Sequence, residues 1–340
     1  MSHGSRSAKW FVRDGPNLPK YPLALIHPLG PIFRHLPLSL RRHLLYLHAW
    51  GRWGNFSTPR LFSEKMQWRI LNDRRPLIAW TCDKLASKEY ARKTAEAAGI
   101  TLRIPATYWS GTDVRDLYIA AQSFPDRWVL KPNHSCGRLR IIDSSAAPID
   151  WEDLANAVGA WVARDEEELV LGHWAYSQAR HLLIAEEYVE HKPDVLTDYK
   201  LIGFGGRVQD VIASADASDI GTHPIVYNRD FAIQGASALT KDQLDRAAHQ
   251  LNKREQEAMI VISERIIAPF DQMRVDLYVS AGELWFGELS TYHSSGLKNS
   301  AGRRLSAVSN TTRGALWELP SLSAADAREQ EWKALLLRDD

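Results

Sequence analysis

The sequence predicts a mixed α/β (α+β) fold carrying a mainly helical, basic N-terminal extension. Three observations support that expectation. A strongly helical stretch from Asp83 onward closes on Gly99 and runs at once into an extended piece, residues 100–105, the alternation of helices laid on a sheet. Two further stretches read as β-hairpins, residues 199–213 around Gly205-Gly206 and residues 274–289 around Ser280-Ala281-Gly282. The 340 residues are 45% hydrophobic and 24% charged with two cysteines, a composition that suits a packed core and excludes a disordered chain, a fibre, a disulfide framework and a Cys-based zinc site.

The elements follow in order. Residues 1–36 are rich in Pro, Gly and His and read as an irregular arm. Ser39 can cap a helix running to about Trp50, in which Leu40, Leu44, Leu45 and Leu47 form an apolar stripe and Arg41, Arg42 and His43 take the other side. Such a helix either lies on a membrane surface or polyanion, or packs on the next domain. Residues 63–72 form a second helix with Glu64 in its first turn, and Pro76 breaks the pattern. Thr81 or Asp83 caps the helix that ends at Gly99. Residues 128–131 read as a buried strand, 132–137 as a turn and 139–142 as the returning strand. Residues 151–162 are helical, 182–189 extended, and 241–267 a long helical region.

The net charge of +1, from 42 Lys and Arg against 41 Asp and Glu, hides an asymmetry. Residues 1–75 hold 13 basic side chains and only Asp14, Glu64 and Asp73, a local +10 that leaves −9 for the remainder. No apolar run is long enough to span a bilayer, and the first residues lack the hydrophobic core of a secretory signal, so a reducing cytosol is the expected compartment. The sequons at Asn55 and Asn310 are then without use. Thirteen Trp serve packing, or stacking on sugars or bases.

The second hairpin is the most informative stretch. Alternation puts Arg274, Asp276 and Tyr278 on one face and Val275, Leu277 and Val279 on the other. On the returning strand, Trp285 and Leu289 fit the apolar face and Phe286, Glu288 and Ser290 the opposite one. Asp276 then falls opposite Gly287 and Glu288, two carboxylates roughly 5–6 Å apart on neighbouring strands. Like charges so placed need a cation between them. Arg274 answers that need in a salt-bridged surface hairpin; a divalent ion is the alternative, and oxygen ligands without His or Cys favour Mg²⁺ over Zn²⁺. The chain has no Walker A, GxGxxG or HExxH pattern. The remaining phosphate-binding candidate is Lys131 before the turn Pro132-Asn133-His134-Ser135-Cys136-Gly137, whose backbone N–H groups can cradle oxygens. Lys84, a cation at a helix start, opposes the helix dipole and hints at a second anion contact.

These segments, in this order, resemble the ATP-grasp superfamily: Asp83-Lys84 before the helix, VLKPN at 129–133, IAEEYVE at 184–190, DYKLIGFGG at 198–206 and RVDLYVSAGELWFGELS at 274–290. The same order occurs in D-alanine–D-alanine ligase and the RimK-type ligases. LFSEKMQWRILNDRRPLIAWTCDK at 61–84, with DYK, RVDLY and FGELS, is closer to the TupA-like branch, which is associated with teichuronopeptide and other cell-surface polysaccharide biosynthesis. The resemblance covers about residues 55–300. It implies a nucleotide held between two β-sheet subdomains, with residues 1–75 as basic extension, 76–125 as pre-grasp segment, 126–190 as lid, 191–320 as catalytic subdomain and 321–340 as tail.

It also implies site residues. Lys84 and Lys131 match the lysines on the ATP α- and β-phosphates. His134, Ser135 and Gly137 sit in the mobile loop over the β- and γ-phosphates. Glu187, Tyr188 and Val189 match the hinge whose backbone reads adenine. Asp198 and Lys200 match a D-x-[RK] pair contacting ribose and phosphate. Asp276 and Glu288 match the magnesium carboxylates, and Arg274 an arginine beside the transferred phosphoryl group, so that Arg274, Lys131 and Lys200 form the catalytic set. Ser290 stands where the pattern has a metal-ligand Asn, and the loop is poor in Gly, with Cys136 before Gly137; both departures have counterparts in the TupA-like pattern.

The function so implied is an ATP- and Mg²⁺-dependent carboxylate–amine ligase working through an acyl phosphate. Its acceptor is expected to be an anionic glycan, a nucleotide-sugar or an amino acid, steered by the +10 segment, with Lys298, Asn299, Arg303 and Arg304 near it. Peripheral membrane contact through the basic N-terminal region is a further expectation, and nucleic acid is not an expected partner. The alternatives are a kinase phosphorylating a sugar hydroxyl and a nonenzymatic module of glycan assembly.

Overall fold

The helix over residues 38–50 shows how local pattern and packing divide the work. In this computed structural model, which describes residues 12–13, 33–135, 137–162, 170–190, 198–214, 224–235, 240–241, 251–297, 306–322 and 329–334, a short strand β1 (Val12–Arg13) precedes helix α1 (Leu38–Trp50). Pro37, not Ser39, stands at its N-cap, and Gly51 in the left-handed region ends it. Its inward face is Arg42, Leu45, Tyr46 and Ala49, whereas Leu40 and Leu47 are exposed. The apolar stripe read from the sequence is therefore rotated. Arg42 is the reason. Its guanidinium is fully buried yet fully supplied with acceptors: Gln67 Oε1 at 2.8 Å, Leu171 O at 3.2 Å, and Ser295 O and Oγ at 3.0 Å each. A buried charge is tolerated only with such partners, and these lie far away in sequence.

Helix α2 (Phe62–Asn72) follows, its start held by the Glu64 carboxylate, which accepts from the backbone N–H groups of Arg60 and Leu61. Pro76 does not merely break a pattern; it opens a short helix α3 (Pro76–Ala79), where its missing N–H costs nothing. Asp83 caps α4 (Lys84–Ala98) by accepting from Ala86 N at 3.0 Å, and Gly99 closes it. Thr81 bonds Ile78 O instead. The extended piece that follows joins a sheet edge at Arg103, which exchanges bonds of 2.8 Å with Leu284 and Phe286. Then come β2 (Thr107–Gly111), α5 (Val114–Ala120), β3 (Arg127–Pro132), β4 (Leu139–Asp143), α6 (Trp151–Val158), β5 (Leu183–Glu187), β6 (Asp198–Phe204), β7 (Arg207–Ser214), β8 (Ile225–Asn228), α7 (Lys253–Ile267), β9 (Gln272–Ser280), β10 (Glu283–Ser290), α8 (Ala307–Leu316) and α9 (Glu329–Ala334). β2, α5 and β8 carry no sequence signal recognised above. Residues 242–250 of the expected long helix lie outside the described residues, and Asn252 caps α7 at Lys253 by accepting from Glu255 N.

Two antiparallel sheets result. The first has the order β1-β4-β3-β5-β2 and the second β10-β9-β6-β7-β8. On the outer side of the first, Trp128, Leu130, Ile142 and Ala185 pack against Leu117, Leu154 and Trp161. One face of the second carries the largest core, in which Val275, Leu277 and Phe286 meet α4 and α7. Trp332 of α9 is buried there and stacks on Trp80 at 5.6 Å. The other face is closed at one end by α2 and Trp317, packed on Ile202 and Phe204. Its remaining end faces the first sheet.

Candidate active site

The site grows from the register of the second sheet. Lys200 on β6 lies opposite Asp276 on β9, and Asp276 opposite Glu288 on β10, so three charged side chains form one row across three strands. Arg274 and Ser290 form the row on one side of it, and Asp198, Tyr278 and Trp285 the row on the other. Trp285 thus faces the site and Phe286 the core, the reverse of the sequence expectation. A bulge between Phe286 and Glu288 explains it: the extra residue, Gly287, shifts the alternation by one, so that Glu288 and Leu289 still land as expected. A side chain at Gly287 has no room, because its Cβ would meet the Tyr278 ring at 2.8 Å and Asp276 O at 2.9 Å.

Arg274 links the two carboxylates. It donates to Asp276 Oδ1 and Oδ2, both at 2.6 Å, and to Glu288 Oε1 at 3.2 Å. Ser290 Oγ is 3.5 Å from the same Glu288 oxygen. Burial, with Glu288 alongside, pushes Asp276 up to about 6 against the pull of Arg274 and Lys200. Burial also acts upward on Glu288, but Arg274, Lys84, Lys131 and Lys200 together hold it below the ordinary carboxylate value. Lys84 and Lys131 belong to the opposite wall, so four cations from both sides of the cleft act on one carboxylate.

That opposite wall is built from α4 and the first sheet. Lys131 on β3 pairs with Glu186 on β5, and Lys88, one helical turn after Lys84, reaches the same Glu186 at 2.6 Å and Pro105 O at 2.9 Å. Burial works upward on Glu186, yet Lys131 and Lys88 hold it below its ordinary value. Glu187 points elsewhere: its carboxylate accepts from Ala106 N at 3.0 Å, and its N–H donates to Ala106 O at 2.8 Å. β5 stops at Glu187, short of the expected Val189. Arg127 lies over the Tyr188 ring at 4.1 Å, Val189 is buried, and Ser280 Oγ donates to Glu190 O at 2.8 Å, tying this hinge to the second sheet.

Lys84 is placed by its neighbours. Asp83 accepts from the backbone and guanidinium of Arg180 at 2.9 to 3.0 Å, and Asn133 accepts from Leu85 N at 3.0 Å. Lys84 Nζ then donates to Ser135 O. His134 is buried and stacked on His181 at 3.9 Å, and Gly137 takes φ of 78°, a conformation that glycine adopts freely. Cys136 lies outside the described residues, as do Lys298, Asn299, Arg303 and Arg304. Asp198 binds Lys200 Nζ.

Lys88, Glu186, Tyr278, Arg180 and His293 were not among the residues singled out from the sequence. Lys88 had a signal, its i,i+4 spacing from Lys84. Tyr278 had one too, sharing a face with Arg274 and Asp276; burial and Asp198, Glu288, Asp276 and Glu186 raise its phenol well above the ordinary value. Buried His293, beside Arg274, is driven well below its ordinary value by burial and by that guanidinium, and had no signal.

The residues fit a Mg-nucleotide. Mg²⁺ takes one or two carboxylates, with waters and phosphate oxygens completing its shell, and Asp276 and Glu288 supply the two. Among the described residues no group of three or more His, Cys, Asp or Glu side chains is placed to hold a metal. Ser135 Oγ, Asp198 Oδ1 and Trp285 Nε1 are buried without a hydrogen-bond partner among the described residues, polar atoms of the kind a ligand satisfies.

Solved structures similar to this chain include D-alanine–D-alanine ligase from Bacillus anthracis complexed with ATP, with 13% identity, 69% of this chain and 67% of that one covered, and a TM-score of 0.35. The Helicobacter pylori D-alanine–D-alanine ligase has 11% identity, coverage of 70% and 59%, and a TM-score of 0.36. N5-carboxyaminoimidazole synthase from Aspergillus clavatus has 12% identity, coverage of 70% and 52%, and a TM-score of 0.37. The chain thus spans between 52% and 67% of the length of these proteins. No curated protein matches the sequence. A family match extends over residues 64–306, from the first turn of α2 through β2 to β10 and every residue of the row Lys200, Asp276, Glu288, and its description is TupA-like ATP-grasp. The chain belongs to the TupA-like ATP-grasp family.

Proposed function

We propose that the protein is an ATP- and Mg²⁺-dependent carboxylate–amine ligase of cell-surface polysaccharide or glycoconjugate biosynthesis. The observation that carries this reading is the convergence of Lys84 and Lys131 from one wall and Lys200 and Arg274 from the other on the Glu288 carboxylate. A cleft with four cations around two adjacent carboxylates suits a polyphosphate together with its cation, and suits a neutral ligand poorly. Asp276 and Glu288 would hold the metal, with Ser290 beside them. An Mg²⁺ ion held there would supply charge compensation for the phosphate oxygens. Lys84 and Lys131 neutralise the nucleotide phosphates, and Arg274 stabilises charge on the transferred group. The backbone of residues 187–189 takes the adenine. An acceptor carboxylate oxygen then attacks the γ-phosphorus as ADP leaves, and an amine displaces phosphate from the acyl phosphate to form the amide.

Product analysis tests the reading. The protein is incubated with Mg-ATP and a panel of uronic-acid glycans, nucleotide-sugars, amino acids and amines. ADP, phosphate and an amide, with a hydroxamate trapped by hydroxylamine, are the expected products. A stable phosphate ester without hydroxamate would instead identify a kinase, and absence of nucleotide binding a nonenzymatic module.

A further inference from the structure

The outward face of α1 is left unused by everything described so far. Leu40 and Leu47 are 38% and 40% exposed and Trp53 is 55% exposed, although each is large and apolar. They form one patch. Leu40, His43 and Leu47 follow i, i+3, i+7 spacing along one side of the helix, with Leu44 beside them packed inward on the core, and the Trp53 ring stacks on His43 at 4.6 Å. The two leucines are about 10 Å apart along the helix axis. The inward face of the same helix is anchored through Arg42, Leu45, Tyr46 and Ala49, so the patch is displayed on a fixed support. Its surroundings are basic. Residues 15–63 contain no Asp or Glu, and exposed Arg34 and His35 lie at one end of the patch, with exposed His48 at the other, where Arg52 is paired with Glu64 at 3.1 Å.

We propose that this face docks on an anionic phospholipid bilayer, with α1 lying in the interface plane and Leu40, Leu47 and Trp53 entering the headgroup–acyl boundary. The two parts of the surface ask for the two parts of such a partner. Aliphatic side chains and a Trp suit the interfacial region, and an acid-free basic segment is drawn to anionic headgroups. Neither signal alone gives firm attachment; an apolar insertion plus a basic patch does. A second copy of the chain is a poor occupant, since a self-complementary contact would set two acid-free basic segments against each other. A nucleic acid would use the basic field but leave the leucines without a partner.

The full chain is sedimented with sucrose-loaded vesicles, either an equimolar mixture of phosphatidylglycerol and phosphatidylcholine or phosphatidylcholine alone. Binding to the anionic vesicles is expected, weakened by added salt, with little binding to the zwitterionic ones. Leu40→Glu combined with Leu47→Glu is expected to lower partitioning about tenfold or more, and Trp53→Ser to lower it separately, with the urea midpoint of each variant unchanged. No binding, equal binding to both vesicles, or binding indifferent to these substitutions would each overturn the proposal. The measurement needs no nucleotide or acceptor, so its outcome is independent of the ligase reading.

Discussion

Asp276 and Glu288 illustrate what individual residues contribute. Two carboxylates side by side in a buried cleft repel, and the site resolves this with Arg274 bonded to both, Lys200 opposite Asp276, and Lys84 and Lys131 acting from the other wall. Replacing either acid leaves the cations without their counter-charge and, on the proposed reading, removes a metal contact. Asp276→Asn and Glu288→Gln should each lower turnover on the order of a hundredfold and weaken the Mg²⁺ dependence of nucleotide binding in a titration. Near-normal turnover in both variants would refute the metal assignment. Glu186 teaches a related lesson. The adjacent pair Glu186-Glu187 is ambiguous by composition, and only strand alternation separates them: Glu186 turns to the lysines, Glu187 to the Ala106 backbone.

At the scale of elements, the bulge in β10 decides the site. Without Gly287 as an extra residue, Trp285, Glu288 and Ser290 could not share a face. Gly287→Ala should destabilise the fold by about 1–3 kcal/mol through contact with Tyr278 and Asp276, read from the urea midpoint, and lower turnover by shifting Glu288. The turn after β10 is the second such element. Ser294 and Ser295 have φ of 47° and 56° ahead of Gly296 at 66°, a strained run immediately beyond Ser290. Arg42, Gln67, Trp50 and His173 hold it through Ser295 and Gly296. Arg42→Ala leaves several buried acceptors unpaired and should cost about 3–5 kcal/mol by chemical denaturation; Arg42→Lys, which lacks the planar fork, should recover only part of it. A full recovery by lysine would show that charge alone matters at this position.

For the whole molecule, buried ion pairs set the acid limit. Asp83, Glu186 and Asp271 are all held below their ordinary values; burial opposes this in each, and the partners Arg180, the lysine pair, and Arg69 with Arg75 overcome it. Their contribution is complete above the unfolded values of about 3.9 for Asp and 4.3 for Glu and is lost as pH falls through the lower folded values. The share of the urea midpoint owed to these three carboxylates should therefore be flat near neutrality and fall steeply below about pH 4, on top of a gentler change that begins below about pH 6.5, where buried neutral His293 costs stability as acid is added and Asp276, raised to about 6, opposes it. Asp83→Asn should lower the neutral plateau and flatten that fall; an unchanged slope would remove Asp83 from the account. The same scale joins the ends of the chain. Trp332 completes the core around Trp80, and Arg313 of α8 pairs with buried Asp210 at 2.7 Å, so the C-terminal segment belongs to the fold that frames the cleft. Among the described residues no helix is long and apolar enough to cross a membrane.

Alternation, caps and turns are short-range properties, and they were legible in the chain itself. Asp83 before a helix, Gly99 after it, the two hairpins, and Arg274, Asp276 and Glu288 on one face follow from periods of 3.6 and 2 together with turn chemistry. The strand β2 and helix α5 were not legible, because the first is a partly exposed edge strand and the second a seven-residue helix with a single buried apolar residue. Long-range pairing was equally hidden. Nothing within residues 38–50 announces that Arg42 turns inward, because its partners Gln67, Leu171 and Ser295 are distributed over more than two hundred residues. Nothing in FGELS announces the bulge, because its fit depends on Tyr278 across the sheet. The sequence by itself determined which chemistry is available and which strands present it. The tertiary structure decided which walls meet, because a buried charge goes where its counter-charges are, and only folding brings them together.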